Sequence, residues 1–134
     1  MLQRIPSATV PLVWPTVAPM IQKAIKQSQE DFWINDILHE VLADRMQLWV
    51  WNEGGTVKAC CVTRLATFPR KKICQVPYLA GIGFRNWIQS EATIGEWAKT
   101  QGCVQLEGYC RDGWLKVLNP LNWFKVWTTM RKEL

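Results

Sequence analysis

At Gln47 the spacing of apolar residues changes, and no other feature constrains the fold of this chain so strongly. Before that point apolar residues recur with a helical period, and after it they form runs suited to strands. Val17, Met20, Ile21, Ala24 and Ile25 predict a helix from Thr16 to Gln27, with Pro19 accommodated in its first turn. Trp33, Ile34, Ile37, Leu38, Val41 and Leu42 give a second helix, Asp31 to Ala43, with one buried face. Leu48-Trp49-Val50-Trp51 then reads as a strand and Asn52-Glu53-Gly54-Gly55 as a hairpin turn. Val57 to Phe68 and Lys72 to Ala80 are two more strands, joined by the turn Pro69-Arg70-Lys71-Lys72. Three strands on short turns predict an antiparallel meander.

The remainder alternates between the two periods. Trp87 to Gln101 reads as a helix with Gly102 as its C-cap, and Cys103 to Cys110 as a strand. Asp112 can cap a short helix from Gly113 to Leu118, and Trp123 to Met130 reads as a last strand. The expected order is ααβββαβαβ, an α+β fold. Pro6, Pro11 and Pro15 make residues 1–15 read as an extended arm before a single domain of 16–134. A chain of 134 residues with 49% hydrophobic content suits one compact domain.

Composition excludes several functions. Five cysteines, one histidine and no CxxC pair leave no metal-ligand spacing, so reduced thiols acting as small hydrophobes are expected. His39 lies off the apolar stripe of its helix and reads as a surface residue. No run reaches the roughly 18 apolar residues of a membrane span, and the proline-broken N-terminus does not read as a signal peptide. A cytoplasmic protein is expected. The net charge of +5 is concentrated at Arg70-Lys71-Lys72 and Arg131-Lys132, too little for an expected nucleic-acid surface. Nine tryptophans point instead to a protein contact surface, with Trp14, Trp49, Trp51 and Trp123 as candidates for exposure.

Tyr78-Leu79-Ala80-Gly81-Ile82-Gly83-Phe84-Arg85-Asn86 is the segment that carries chemistry. A glycine turn between a strand and a helix leaves backbone N–H groups free beside a helix dipole, which suits a phosphate. Tyr78, Ala80, Gly81, Ile82, Gly83, Phe84, Arg85 and Asn86 are therefore the candidate binding residues, with Arg85 available for a charge-assisted contact.

Order and motif together resemble the GNAT (Gcn5-related N-acetyltransferase) family over residues 16–134. Its pyrophosphate loop reads Q/R-x-x-G-x-G/A. Here Tyr78 stands at the first position, and Gly81 and Gly83 at the two glycines. Glu96-Trp97-Ala98-Lys99-Thr100-Gln101-Gly102 is similar to the end of the family's following helix, and Val104-Gln105-Leu106-Glu107 to its next strand. The resemblance implies a mixed central sheet, acetyl-CoA held by backbone amides of the loop, and acetyl transfer to an amine. It also implies Glu107 as general base and a phenol, Tyr109 or Tyr78, as the acid for the departing thiolate. The tyrosine that the family often carries in the helix after its fifth strand is missing here. Arg111-x-Gly113-Trp114-x-x-Val117-Leu118, with the Arg131-Lys132-Glu133-Leu134 end, resembles small GNAT-like proteins of bacteriophages and prophages. That likeness implies a place in the host cytoplasm or the virion. Two functions stay open, a CoA-dependent N-acyltransferase and a non-enzymatic scaffold that binds a viral or host protein. Oligomerisation stays open with them.

Overall fold

The computed structural model describes residues 1–83 and 88–134. Its elements are β1 (Leu2–Ile5), α1 (Val10–Lys26), α2 (Ile34–Leu42), β2 (Gln47–Glu53), β3 (Thr56–Thr67), β4 (Lys72–Gly81), α3 (Glu91–Thr100), β5 (Gln105–Gly108) and α4 (Leu115–Leu118). The five strands form one sheet in the order β1-β2-β3-β4-β5. Strands β1 to β4 pair antiparallel and β5 joins β4 in parallel, which gives the mixed sheet of an α+β fold. Among the described residues no helix is long and apolar enough to cross a membrane.

The two sheet faces bury different helices. Val17, Ile21 and Ile25 of α1 and Ile37 and Val41 of α2 pack with Leu48, Val50, Cys60, Val62 and Tyr78. On the other face Ile94 and Ala98 of α3 pack with Trp49, Cys61, Cys74 and Cys103. Adjacent residues such as Cys60 and Cys61 thus enter opposite cores, as the two-residue repeat of a strand requires. Burial alone pushes the Cys60 thiol up to about 12. Burial raises Cys74 to about 12 as well, with Cys103 adding to it, and drives Cys61 up too. Of the five free cysteines only Cys110 is exposed. A disulfide reagent at pH 8 is expected to modify one thiol of the native protein rapidly and the other four only after unfolding. Fast reaction of two or more would contradict the packing.

Three expectations change. Residues 1–15 are not an arm on their own: β1 pairs with β2 along Leu2↔Trp51 to Ile5↔Leu48, and α1 already begins at Val10. Prolines had argued against that helix start. Pro11 falls in the first turn, where its missing N–H costs nothing, and Pro15 and Pro19 follow at intervals of four. All three share the exposed side, so the carbonyls they leave unpaired face water. The strand expected over Trp123–Met130 does not form, since residues 123–134 carry no regular secondary structure. Local β-propensity does not make a strand without a ladder partner. Side chains hold this segment instead, Trp123 against Gly108 and Arg131 in a two-pronged pair with Asp31 at 2.6 and 2.8 Å. Finally, Trp33 and Leu42 leave the buried face of the second helix, which starts only at Ile34. Among the described residues the exposed tryptophans are Trp33 and Trp127, while Trp49 is fully buried and Trp14, Trp51 and Trp123 are half-buried.

Candidate active site

Strand β4 is irregular where it matters. Val62 faces Tyr78 and Arg64 faces Gln75, so two steps along β3 span three along β4. The extra residue falls at Val76-Pro77. A bulge there reverses the facing of the strand. Cys74 and Val76 pack on the α3 side, but Tyr78 lies in the α1 core and Leu79 returns to the α3 side. Pro77 has no N–H to offer a neighbouring strand. The β4–β5 ladder ends at Val76↔Gly108, one residue before it.

A cleft of about 270 Å³ opens at that point. Its walls include Gln27 and Ser28 from the end of α1, Pro77 and Tyr78 from β4, and Tyr109 and Arg111 beyond β5. Trp51, Cys61, Leu79, Glu91 and Ile94 line it from the α3 side, so the cleft joins the two faces of the sheet between the parted strands. The Trp51 indole N–H is buried and has no hydrogen-bond partner among the described residues. A ligand carbonyl or hydroxyl in the cleft would satisfy it.

The expected loop residues separate into three groups. Gly81 pairs with Ala59, and its φ is +149°. A Cβ there would lie 2.6 Å from both the Ala59 Cα and the Lys58 carbonyl oxygen. Glycine is thus required for close approach of β3, whatever the loop binds. The exposed Ile82 donates its N–H to the Lys58 carbonyl at 3.0 Å, so that amide is not free for a phosphate. Gly83 has φ +67°, which favours glycine, and Ala80 is half-buried against the α1 core. Phe84, Arg85 and Asn86 lie outside the described residues.

Tyr78 points away from the loop. Its ring meets Phe32 edge-on at 6.3 Å, and burial raises its phenol pKa, helped by the Asp31 charge and opposed by Arg64. Glu107 sits on β5 opposite Gln75 and accepts two hydrogen bonds on one oxygen. Gln75 Nε2 donates at 2.9 Å and the Tyr109 hydroxyl at 3.1 Å. Arg64 Nε donates to Gln75 Oε1 at 2.8 Å, which fixes the amide's orientation. Tyr109 therefore serves Glu107, while Tyr78, also in the cleft wall, has no side-chain hydrogen bond among the described residues.

Sequence reading missed Gln75, Arg64, Trp51 and Glu91. Gln75 had a signal, being the one polar residue in the buried run Ile73 to Val76, with a proline two positions on. Glu91 opens α3 half-buried; burial raises its carboxyl pKa, and a hydrogen bond from Trp123 lowers it. Among the described residues no group of three or more His, Cys, Asp or Glu side chains is placed to hold a metal.

Solved structures of similar architecture include several acetyltransferases. An aminoglycoside acetyltransferase from an uncultured soil metagenomic sample, solved with sisomicin, superposes with a TM-score of 0.72 at 8% identity. The match covers 100% of this chain and 95% of that one. A ribosomal-protein-alanine N-acetyltransferase from Brucella melitensis gives 0.73 at 10% identity, over 100% and 99% of the two chains. An aminoglycoside N-acetyltransferase in complex with CoA gives 0.68 at 10% identity, over 100% and 93%. No protein-family model matches the sequence, and no curated protein matches it. The GNAT acetyltransferase fold is therefore shown by shape, with a five-stranded mixed sheet and helices on both faces.

Proposed function

We propose that this chain is an acyl-CoA-dependent N-acyltransferase working in the cleft between β4 and β5. The observation that carries the reading is the parting of those strands at the Val76-Pro77 bulge, with Tyr78 on one side of the cleft and Tyr109, which donates to Glu107, on the other. Acetyl-CoA would supply the acyl group as a reactive thioester. Glu107 has one oxygen that no described residue donates to, and it is held by Gln75 and Tyr109. It is suited to take a proton from an acceptor ammonium. Tyr78 lines the cleft and is the phenol not committed to Glu107, so it is the residue placed to hand a proton to a departing thiolate. The apolar walls, Leu79, Ile94 and Leu106, keep water from the thioester. Gly83 and the candidate residues Phe84, Arg85 and Asn86 remain the proposed pyrophosphate end. The Ile82 amide is not part of it.

Calorimetric titration with acetyl-CoA tests this. Saturable binding is expected, and Gly83→Pro should weaken it at least tenfold, because proline cannot adopt φ +67°. Absence of heat at millimolar acetyl-CoA would sink the reading.

A non-enzymatic contact role has one observation in its favour. Phe124, Val126, Trp127 and Met130 all stand exposed in the C-terminal segment. The expected phage origin and virion location draw no support from the structural similarities. Co-purification with assembled particles, with no acetyl-CoA binding, would favour that role.

A further inference from the structure

Arg64 is a cation on the half-buried part of β3 that lacks an anion. Its guanidinium lies 5.9 Å from the Phe32 ring and 5.9 Å from the Tyr109 ring, and its Nε is committed to Gln75. Neither terminal nitrogen has a hydrogen-bond partner among the described residues. None of the ion pairs among them includes it. Two carboxylates are nearby and neither pairs with it. Asp31 is occupied on both oxygens by Arg131, and Glu107 has one oxygen shared by Gln75 and Tyr109. Removing a guanidinium from water without a paired carboxylate costs free energy that a ligand anion would return. Its planar fork also favours carboxylate over a point anion.

The placement says what the anion belongs to. Tyr109, whose ring lies beside Arg64, lines the acceptor end of the cleft with Gln27, Ser28 and Arg111. Arg111 Nη2 donates to the Gln27 carbonyl at 3.2 Å, so that end carries a second cation that has no carboxylate partner among the described residues. Glu107, with one oxygen to which no described residue donates, is separated from Arg64 by a single glutamine amide, and Tyr109 of the cleft wall touches both. A cation and an anion so spaced match a ligand of the opposite arrangement. We propose that the acceptor is a free amino acid, its carboxylate held by Arg64 and its ammonium by Glu107. This rests on the acyltransferase reading for the fate of the amine, but carboxylate binding by Arg64 does not require it. Spermidine and kanamycin, amines with no carboxylate, would leave Arg64 unpaired and should bind poorly.

The test uses the full chain. The proteinogenic amino acids are titrated in pools and then singly, each beside its carboxamide, while the Nε–H signal of Arg64 is followed by NMR. At least one acid is expected to shift that signal and to bind at least tenfold more tightly than its amide. Arg64→Lys should lower the affinity for that acid at least tenfold, with circular dichroism checking that the variant folds. The proposal is overturned if no acid moves the signal, if amides bind as well as acids, or if spermidine or kanamycin binds better. Failure of acetyl-CoA to bind in the separate titration would count against acyl transfer alone, because the acid-against-amide comparison needs no cofactor.

Discussion

Raising the pH from 8 to 10 is expected to remove on the order of 5 kcal/mol of stability, against a total of about 5–15 for a domain of this kind. The cause is the set of buried thiols Cys60, Cys61 and Cys74, exposed by 1%, 3% and 0%. Burial holds Cys60 and Cys74 up to about 12, and Cys61 is shifted the same way. In the unfolded chain each ionises near about 8.5. Below that pH both states are protonated and the thiols add no pH dependence. Above it the unfolded state loses protons that the folded state keeps, and each thiol removes about 1.4 kcal/mol per pH unit until its folded pKa is reached. The effect is therefore an alkaline loss, with no counterpart in acid. Urea midpoints under reducing conditions at pH 8 and pH 10 measure it. Cys61→Ala should cut the pH-dependent part by about a third. An unchanged slope in that variant would mean that these thiols are not what couples stability to pH.

Gly81→Val is expected to cost about 3 kcal/mol or more, from overpacking against strand β3 and a left-handed φ that a branched residue does not adopt. The clash is with backbone, the Ala59 Cα and the Lys58 carbonyl oxygen, so no side-chain rotation relieves it. Gly55→Ala is the contrast. Its φ is +78° but nothing lies within 4 Å of the added Cβ, so only the conformational cost of about 1 kcal/mol applies. Denaturant unfolding of the two variants separates close packing from backbone conformation. A Gly81→Val protein within 1 kcal/mol of the parent would show that the two strands yield at this end of the sheet. The same experiment bears on the loop's meaning, because a glycine required by β3 is not evidence of a ligand.

The candidate site was legible only along the chain. Gly81 and Gly83 stood out because glycine spacing is a one-dimensional signal, and Glu107 and Tyr109 entered only through what the family resemblance implied. The network Arg64–Gln75–Glu107–Tyr109 was not legible, since it joins β3, β4, β5 and the turn beyond, and nothing in sequence order brings these together. Tyr78 changed its meaning for the same reason. By its place in the motif it belonged to the loop, but the bulge one residue earlier turned it into the α1 core.

Periodicity by itself determined the meander, the presence of the three longer helices and the centres of their apolar stripes, because the local repeat of a helix or strand is written into neighbouring residues. It also determined an α+β fold, since both periods are present and strongly marked. Which segments found partners was decided by tertiary structure. Leu2–Ile5 became a strand because β2 offered an edge, and Trp123–Met130 did not because side-chain contacts at Gly108 and Asp31 hold it outside any ladder. The cleft belongs to that second category. Pro77 is visible in the sequence, but that β4 and β5 part there, and that Tyr78 and Tyr109 flank the gap, follows only once the parallel ladder has formed and run out.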